Sequence, residues 1–275
     1  VGENELFIAV SQSGETADTL AALREAKRRG ARVMAICNVV GSTITREVGE
    51  ENTLYTYAGP EIAVASTKAY ITQAELMVML AVALADLRGQ ISPERAAQLM
   101  EGLADLPRKA EQALAVEEQL QRLTSMLSQK RHVFFVGRGM DYALSMEAAL
   151  KLKEVSYIFS EAYAAGELKH GTISLIEDGT LVIALGTYAP LFDKAMSNVV
   201  EVKARGADVL ALATESHRGE MAKTVENVIT IPDTAQMLLP SLGVVPLQLL
   251  AYYIALQRGC DIDKPRNLAK SVTVE

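Results

Sequence analysis

Short apolar runs alternate with stretches of helical period along this chain, and the alternation occurs twice. Leu6–Phe7–Ile8–Ala9–Val10 is an unbroken apolar run suited to a strand buried on both faces. The stretch that follows has a helical period and ends in Arg24–Glu25–Ala26–Lys27–Arg28–Arg29–Gly30, after which Val33–Met34–Ala35–Ile36 is apolar again. The pattern returns at Leu181–Val182–Ile183–Ala184–Leu185, runs on to Lys203–Ala204–Arg205–Gly206, and reaches Val209–Leu210–Ala211–Leu212. Gly30 and Gly206 each stand where a helix must stop before the next strand begins. Thr53–Leu54–Tyr55–Thr56 and an apolar helix over Lys68–Leu87 answer to Val228–Ile229–Thr230–Ile231 and a helix over Pro246–Arg258. Two similar β-α-β-α-β units are predicted. Strands separated by helices imply an α/β fold of parallel sheets covered on both faces, with ligands bound beyond the carboxyl ends of the strands.

The two units are unequal. Ahead of Leu181 the second has an additional strand, His132–Val136, a helix over Tyr142–Ser156 and a loop through His170. The first is expected to own a matching strand and helix ahead of Leu6, so the chain reads as a fragment whose first domain lacks its opening β-α unit. Between the units, Ile91–Lys130 is helical in period. Ser92–Pro93–Glu94 is a start signal, and leucines recur at 99, 103, 106, 114, 120, 123 and 127. The expected divisions are 1–90, an incomplete first domain; 91–130, a helical connector; 131–258, a second domain; and 259–275, a C-terminal tail.

Composition narrows the function classes. Of 275 residues, 49% are apolar and 22% charged, the profile of a globular chain. A net charge of −7 argues against a nucleic-acid face or an anionic membrane surface, but leaves room for a single anionic metabolite. The longest apolar stretch, around Leu76–Leu84, reads as too short to span a bilayer. Cys37 and Cys260 show no paired spacing, and Cys37 lies inside an apolar run, which reads as a buried thiol in a cytoplasmic protein. His132, His170 and His217 are scattered, without metal-ligand spacing, so no metal site is expected.

The chemistry concentrates after the first strand. Ser11–Gln12–Ser13–Gly14–Glu15–Thr16 opens onto a helix starting near Ala17. Free backbone N–H groups and the positive end of a helix dipole favour an anion at such a turn. Ser11, Ser13 and Thr16 add hydroxyls and Gln12 an amide, while Gly14 lets the backbone turn close to a ligand. A helix cap would need only one hydroxyl, so a phosphate site is the better reading. The equivalent turn of the second unit, Gly186–Thr187–Tyr188–Ala189–Pro190, lacks the hydroxyl cluster and is expected to hold no anion. In Gly59–Pro60–Glu61–Ile62–Ala63–Val64–Ala65–Ser66–Thr67–Lys68, Ser66 and Thr67 either reach ligand hydroxyls or cap the next helix.

These motifs resemble the sugar isomerase (SIS) fold of glucosamine-6-phosphate synthases. The resemblance continues through Glu147–Ala148–Ala149–Leu150–Lys151–Leu152–Lys153–Glu154 and through Glu161–Ala162–Tyr163–Ala164–Ala165–Gly166–Glu167–Leu168–Lys169–His170–Gly171. It closes with Pro265–Arg266–Asn267–Leu268–Ala269–Lys270–Ser271–Val272–Thr273–Val274–Glu275. It implies two tandem three-layer α/β/α SIS domains, the first truncated, and conversion of fructose 6-phosphate to glucosamine 6-phosphate with ammonia from glutamine and no cofactor.

By the same resemblance, Ser11, Gln12, Ser13 and Thr16 would hold the phosphate, while Val64, Ser66 and Ala269 would line the sugar. Glu154 would move a proton between C1 and C2, Lys270 would attack the ketose carbonyl, and His170, supplied by a second subunit, would open the ring. Glu147 and Lys151 would belong to the same network. The implied ligands are fructose 6-phosphate, glucosamine 6-phosphate or glucose 6-phosphate, and the implied assembly is a homodimer. The family's glutaminase domain and the Gly-Thr-Ser loop of its first sheet do not occur in this sequence. Spacing alone would let Glu147, Lys151 and Glu154, on one helix face, be a solvated ion-pair row. A sugar-phosphate sensor of the same fold would need the anion turn but neither the acid/base nor the lysine.

Overall fold

The computed structural model describes residues 1–271, so the final part of the tail motif, 272–275, lies outside the described residues. Two parallel sheets organise the chain. The first holds β1 (Leu6–Ser11), β2 (Arg32–Cys37) and β3 (Thr53–Tyr55) in that order. The second holds β4 (His132–Gly137), β5 (Phe159–Ala164), β6 (Leu181–Gly186), β7 (Asp208–Thr214) and β8 (Asn227–Ile231) in the order β5-β4-β6-β7-β8. The α/β class and parallel pairing expected from the sequence are what the chain adopts.

The predicted helix stops close in the same way in both units. After α1 (Ala17–Arg28) the N–H of Ala31 donates to the Ala26 carbonyl at 3.1 Å, and that of Gly30 to Lys27 at 3.0 Å. After α7 (Phe192–Lys203), Ala207 donates to Val202 at 3.3 Å and Gly206 to Lys203 at 2.9 Å. Both glycines have positive φ, +85° and +87°, which a side chain would oppose.

On the first sheet, Leu20 and Leu23 of α1 and Ile44 and Val48 of α2 (Thr43–Val48) pack against Ala9 and Ala35. The larger core lies on one face of the second sheet. There α6 (Met140–Ser156) and α9 (Leu239–Gln257) pack together with α4 (Pro93–Leu114) and α5 (Glu117–Leu127). Gly243 allows the α6–α9 approach, because a Cβ there would meet Leu144 Cδ2 at 2.7 Å. The other face is closed by α7 and the short α8 (Arg218–Met221). Ser92 caps α4 by accepting the Arg95 N–H at 3.2 Å, with Pro93 in the first turn, as its start signal implied.

Three expectations need correction. The segment read as a loop through His170 begins with β5, an edge strand whose sequence Phe-Ser-Glu-Ala-Tyr-Ala is too polar to stand out by hydropathy. The last long helix begins at Leu239 rather than Pro246: Pro240 occupies its first turn, and Pro246 is carried inside it. The apolar stretch around Leu76–Leu84 is part of a 20-residue helix, α3 (Lys68–Leu87). With Gln236–Gln257, α3 is one of two helices among the described residues long and apolar enough to cross a membrane. The Gln236–Gln257 helix is a core element, 61% of its most apolar window being buried, whereas 11% of the α3 window is. Met77, Met79, Leu84 and Leu87 of α3 are exposed apolar residues.

Candidate active site

The β1 turn sits at the carboxyl end of its strand, where a parallel sheet offers a ligand site. The Ser11 hydroxyl is buried and accepts the Gly14 N–H at 2.9 Å, while the Ser13 hydroxyl accepts the Glu15 N–H at 3.2 Å. Thr16 is the first residue of the α1 cap but makes no side-chain cap bond. Gly14 has φ +68°, and a Cβ there would lie 2.0 Å from Ser42 Oγ and 2.9 Å from Cys37 Sγ, so only glycine fits. Cys37 is itself fully buried beneath the turn. Glu15 braces the turn from outside by accepting the N–H and hydroxyl of Thr43, both at 2.7 Å. Those two bonds, the hydroxyl's first, hold its carboxyl below the usual range against a small opposing effect of burial.

An open cavity of about 200 Å³ lies beside the turn, lined by Val10, Ser11, Gln12, Ser66, Ala69, Tyr70, Gln73, Glu147 and Lys151. It joins the turn, the start of α3 and the middle of α6. Ser13 and Thr16 belong to the turn but not to this lining. Ser66, Tyr70 and Gln73 share one face where the chain enters α3. Burial pushes the Tyr70 phenol up to about 12, with the Glu147 charge adding to the shift.

Glu147, Lys151 and Glu154 of α6 form a largely enclosed row rather than a solvated one, with Lys151 buried and the two glutamates half-buried. Lys151 Nζ is 2.6 Å from Glu154 Oε2 and 3.7 Å from Glu147 Oε1, with the lysine side chain 8% exposed. Glu154 Oε2 is enclosed and makes no hydrogen bond of good geometry among the described residues; the Lys151 ammonium is its close ionic partner. Burial pushes the Glu147 carboxyl above the ordinary range; the Lys151 charge opposes the shift and that of Glu154 reinforces it. Lys151 also borders an adjoining apolar cleft of about 80 Å³ with Ala63, Ala65, Val155, Gln248 and Ile262.

The tail returns to this place along the segment preceding α3. The Val64 N–H donates to the Asp263 carbonyl at 2.9 Å, and Lys270 Nζ donates to the Ala63 carbonyl. Glu61 ties the same segment to α3 by accepting the Ala69 N–H at 3.0 Å, and Lys68 Nζ donates to the Pro60 carbonyl at 2.7 Å. Burial lowers the Lys270 amine from its ordinary range; Glu61 opposes that, and Lys151 and Lys68 add to it. Thr67 stands at the start of α3 without a side-chain cap bond, and Ala269 is exposed beside Lys270.

His170 is elsewhere. It ends a 3-10 turn, Ala165–His170, with its side chain 64% exposed and its ring 4.0 Å from Glu167. Within one chain the described residues bring together Ser11, Gln12, Ser66, Glu147 and Lys151 around one cavity, with Glu154 and Lys270 adjoining.

A family model described as SIS domain matches residues 1–83 and 126–258. The chain belongs to the SIS-domain family. This SIS chain is 56% identical over its whole length to "Glutamine--fructose-6-phosphate aminotransferase [isomerizing]" of Clostridium tetani, covering 45% of that protein. It thus spans about half the length of the curated relatives it matches. Among solved structures it is similar to the C-terminal domain of glucosamine-fructose-6-phosphate aminotransferase from Francisella tularensis. That match has a TM-score of 0.92 and 36% identity, and covers 96% of this chain and 75% of that one. A glucosamine-6-phosphate deaminase from Thermotoga maritima superposes with a TM-score of 0.74 at 27% identity, covering 99% of this chain and 76% of that one.

Sequence reasoning passed over Glu15, Glu61, Tyr70 and Gln73 of this SIS chain. Tyr70 and Gln73 carried a usable signal, lying one and two helical turns beyond Ser66. Glu15 and Glu61 carried none, because their partners Thr43 and Ala69 are fixed by the fold.

Proposed function

We propose that this chain is the sugar-isomerising unit that turns fructose 6-phosphate and ammonia into glucosamine 6-phosphate. The observation that carries the reading is that Glu147 and Lys151 line the cavity bordered by Ser11, Gln12 and Ser66, with Lys151 paired to Glu154 at 2.6 Å and Lys270 bound to the nearby Ala63 carbonyl. A solvated ion-pair row would serve a surface, and a sensor needs neither a buried carboxylate nor a placed amine.

In this scheme the β1 turn takes the phosphate through Ser11, Gln12, Ser13 and Thr16, without a cation that would hinder release of product. The sugar lies along Val64, Ser66 and Ala269 toward α6. Lys270 attacks the C2 carbonyl of the open-chain ketose and water leaves, giving an imine that acidifies the C1 proton. Glu154 takes that proton and returns one to C2, with Glu147 and Lys151 setting its surroundings. Before that transfer ammonia adds to the C2 imine carbon and releases the Lys270 amine, so Glu154 acts on an unsubstituted C2 imine and the product carries the ammonia nitrogen there. The exposed His170 is proposed to complete the site of a second subunit of a homodimer and to exchange a proton with the ring oxygen. In a longer protein a glutaminase domain would supply the ammonia. Two unpaired cysteines agree with work in the cytoplasm.

The direct test is conversion of fructose 6-phosphate to glucose 6-phosphate, or with ammonium to glucosamine 6-phosphate, followed by NMR. Tight binding with no turnover under either condition would reject the reading in favour of a sensor. Ser13→Ala combined with Thr16→Ala is expected to weaken fructose 6-phosphate binding at least about tenfold, from the loss of two hydrogen bonds to a charged group. Binding of free fructose should hardly change; equal losses for both ligands would remove the anion turn.

A pH effect follows from the cations around Lys270. The amine must be unprotonated to attack, and burial first, then Lys151 and Lys68, lowers its protonation range. Lys68→Met removes one like charge, so the acid limb of kcat/KM is expected to move to higher pH. A limb that stays in place or moves down would show that Lys68 has no hold on the nucleophile.

A further inference from the structure

The internal repeat places a second turn where the first has its anion site: β6 leads through 187–191 into α7 as β1 leads through 12–16 into α1. Aligned on their last strand residues, Ser11 and Gly186, Gln12 corresponds to Thr187 and Ser13 to Tyr188. The two turns treat their backbone donors differently. No side chain among the described residues accepts from the N–H of Gln12 or Ser13. In the second turn the N–H groups of Thr187 and Tyr188 both donate to Asp141 Oδ2, at 2.9 and 3.0 Å, and the Thr187 hydroxyl donates to Oδ1.

We infer that Asp141 is a built-in anion: its carboxylate fills the second sheet's copy of the oxyanion site, so the fold keeps two such sites and leaves one open. Asp141 is 2% exposed, and Thr187 equally buried, so the pair is enclosed. An acidic residue in the first turn of α6 could be explained by its own helix dipole. Its oxygens, however, bond to residues 46 and 47 positions away, on a different element. The turn from β4 into α6 is shaped to deliver it. A Cβ on Gly137 would lie 2.4 Å from the Asp141 backbone, and Gly139, at φ +58°, lets the Tyr188 ring lie close, 3.0 Å from where its Cβ would be. Burial pushes the Asp141 carboxyl up, and the Thr187 and Tyr188 donors and the His217 charge pull it back. Such a cost is sustained only where the donors would otherwise be buried without an acceptor. The ligand class for the vacated site is a small tetrahedral oxyanion, with inorganic phosphate as the probe.

The test uses the full chain carrying Ser13→Ala and Thr16→Ala, which silences the first turn, with and without Asp141→Ala. Asp141→Ala is expected to lower Tm, and phosphate, against chloride of equal ionic strength, to restore it saturably by about 2–4 °C or more beyond the response of the background. An equal response with and without Asp141 would overturn the inference. Should Asp141→Ala not fold, Asp141→Ser, whose shorter side chain also leaves the carboxylate's space open, supplies the same comparison. A phosphate response above the background supports the inference, and one no greater refutes it. The readout is phosphate binding rather than turnover, so it stands or falls apart from the proposed reaction.

Discussion

Lys270→Ala is expected to abolish the adduct that borohydride traps between this chain and fructose 6-phosphate, and to remove turnover with it. Lys151 and Lys270 differ in their surroundings. Lys151 is committed to Glu154 at 2.6 Å and Glu147 at 3.7 Å. Among the described residues Lys270 hydrogen-bonds to a neutral acceptor, the Ala63 carbonyl, and burial, opposed by the Glu61 charge, lowers its amine from the ordinary range. An amine with that balance offers its lone pair to a carbonyl more readily than an ordinary surface lysine. Hydride reduction of the imine leaves a secondary amine at C2, and peptide mass mapping of the unsubstituted chain should place it on Lys270. Circular dichroism of Lys270→Ala should be unchanged, because the Lys270 side chain belongs to none of the core clusters. A label that persists in the variant, or maps to Lys151, removes Lys270 from the chemistry.

The parallel repeat was readable because its information is local. An apolar run, a helical stretch and a glycine stop recur in order, and Gly30 and Gly206 close their helices with the same pair of hydrogen bonds. The make-up of the β1 turn was readable for the same reason: hydroxyls, an amide and a glycine fall within six residues at a strand's end. What stayed hidden depends on distance along the chain. Nothing near Glu154 in sequence says that its face of α6 is closed rather than wet. Its neighbours on α6, Glu147 and Lys151, face cavities walled by the β1 turn, the segment before α3 and Ile262 of the tail, all far away in sequence. Asp141 was hidden likewise, since its donors lie on the β6 turn. The strand β5 escaped because an edge strand need not be apolar. Pro246 misled because a proline that usually opens a helix here sits inside one, supported by the packing of α6 and α9.

Glu154→Gln is expected to lower kcat by about 10²–10⁴-fold, the usual contribution of a placed acid/base, with a much smaller change in KM. The substitution keeps the shape of the side chain and its place beside Lys151, and it removes the charge that accepts a proton. The proposed phosphate contacts lie on the β1 turn, so binding should survive. The decisive measurement separates proton removal from the later steps. In deuterium oxide the parent chain should exchange a C1 proton of fructose 6-phosphate for deuterium, visible by NMR without ammonia or net turnover, and Glu154→Gln should not. Glu147 is the competing base, being the carboxylate that burial pushes above its ordinary range. It stands farther from Lys151 than Glu154 does, 3.7 against 2.6 Å. If exchange survives in Glu154→Gln and is lost in Glu147→Gln, the acid/base role passes to Glu147. Loss in Glu154→Gln alone ties the proton shuttle to the carboxylate that stands 2.6 Å from Lys151.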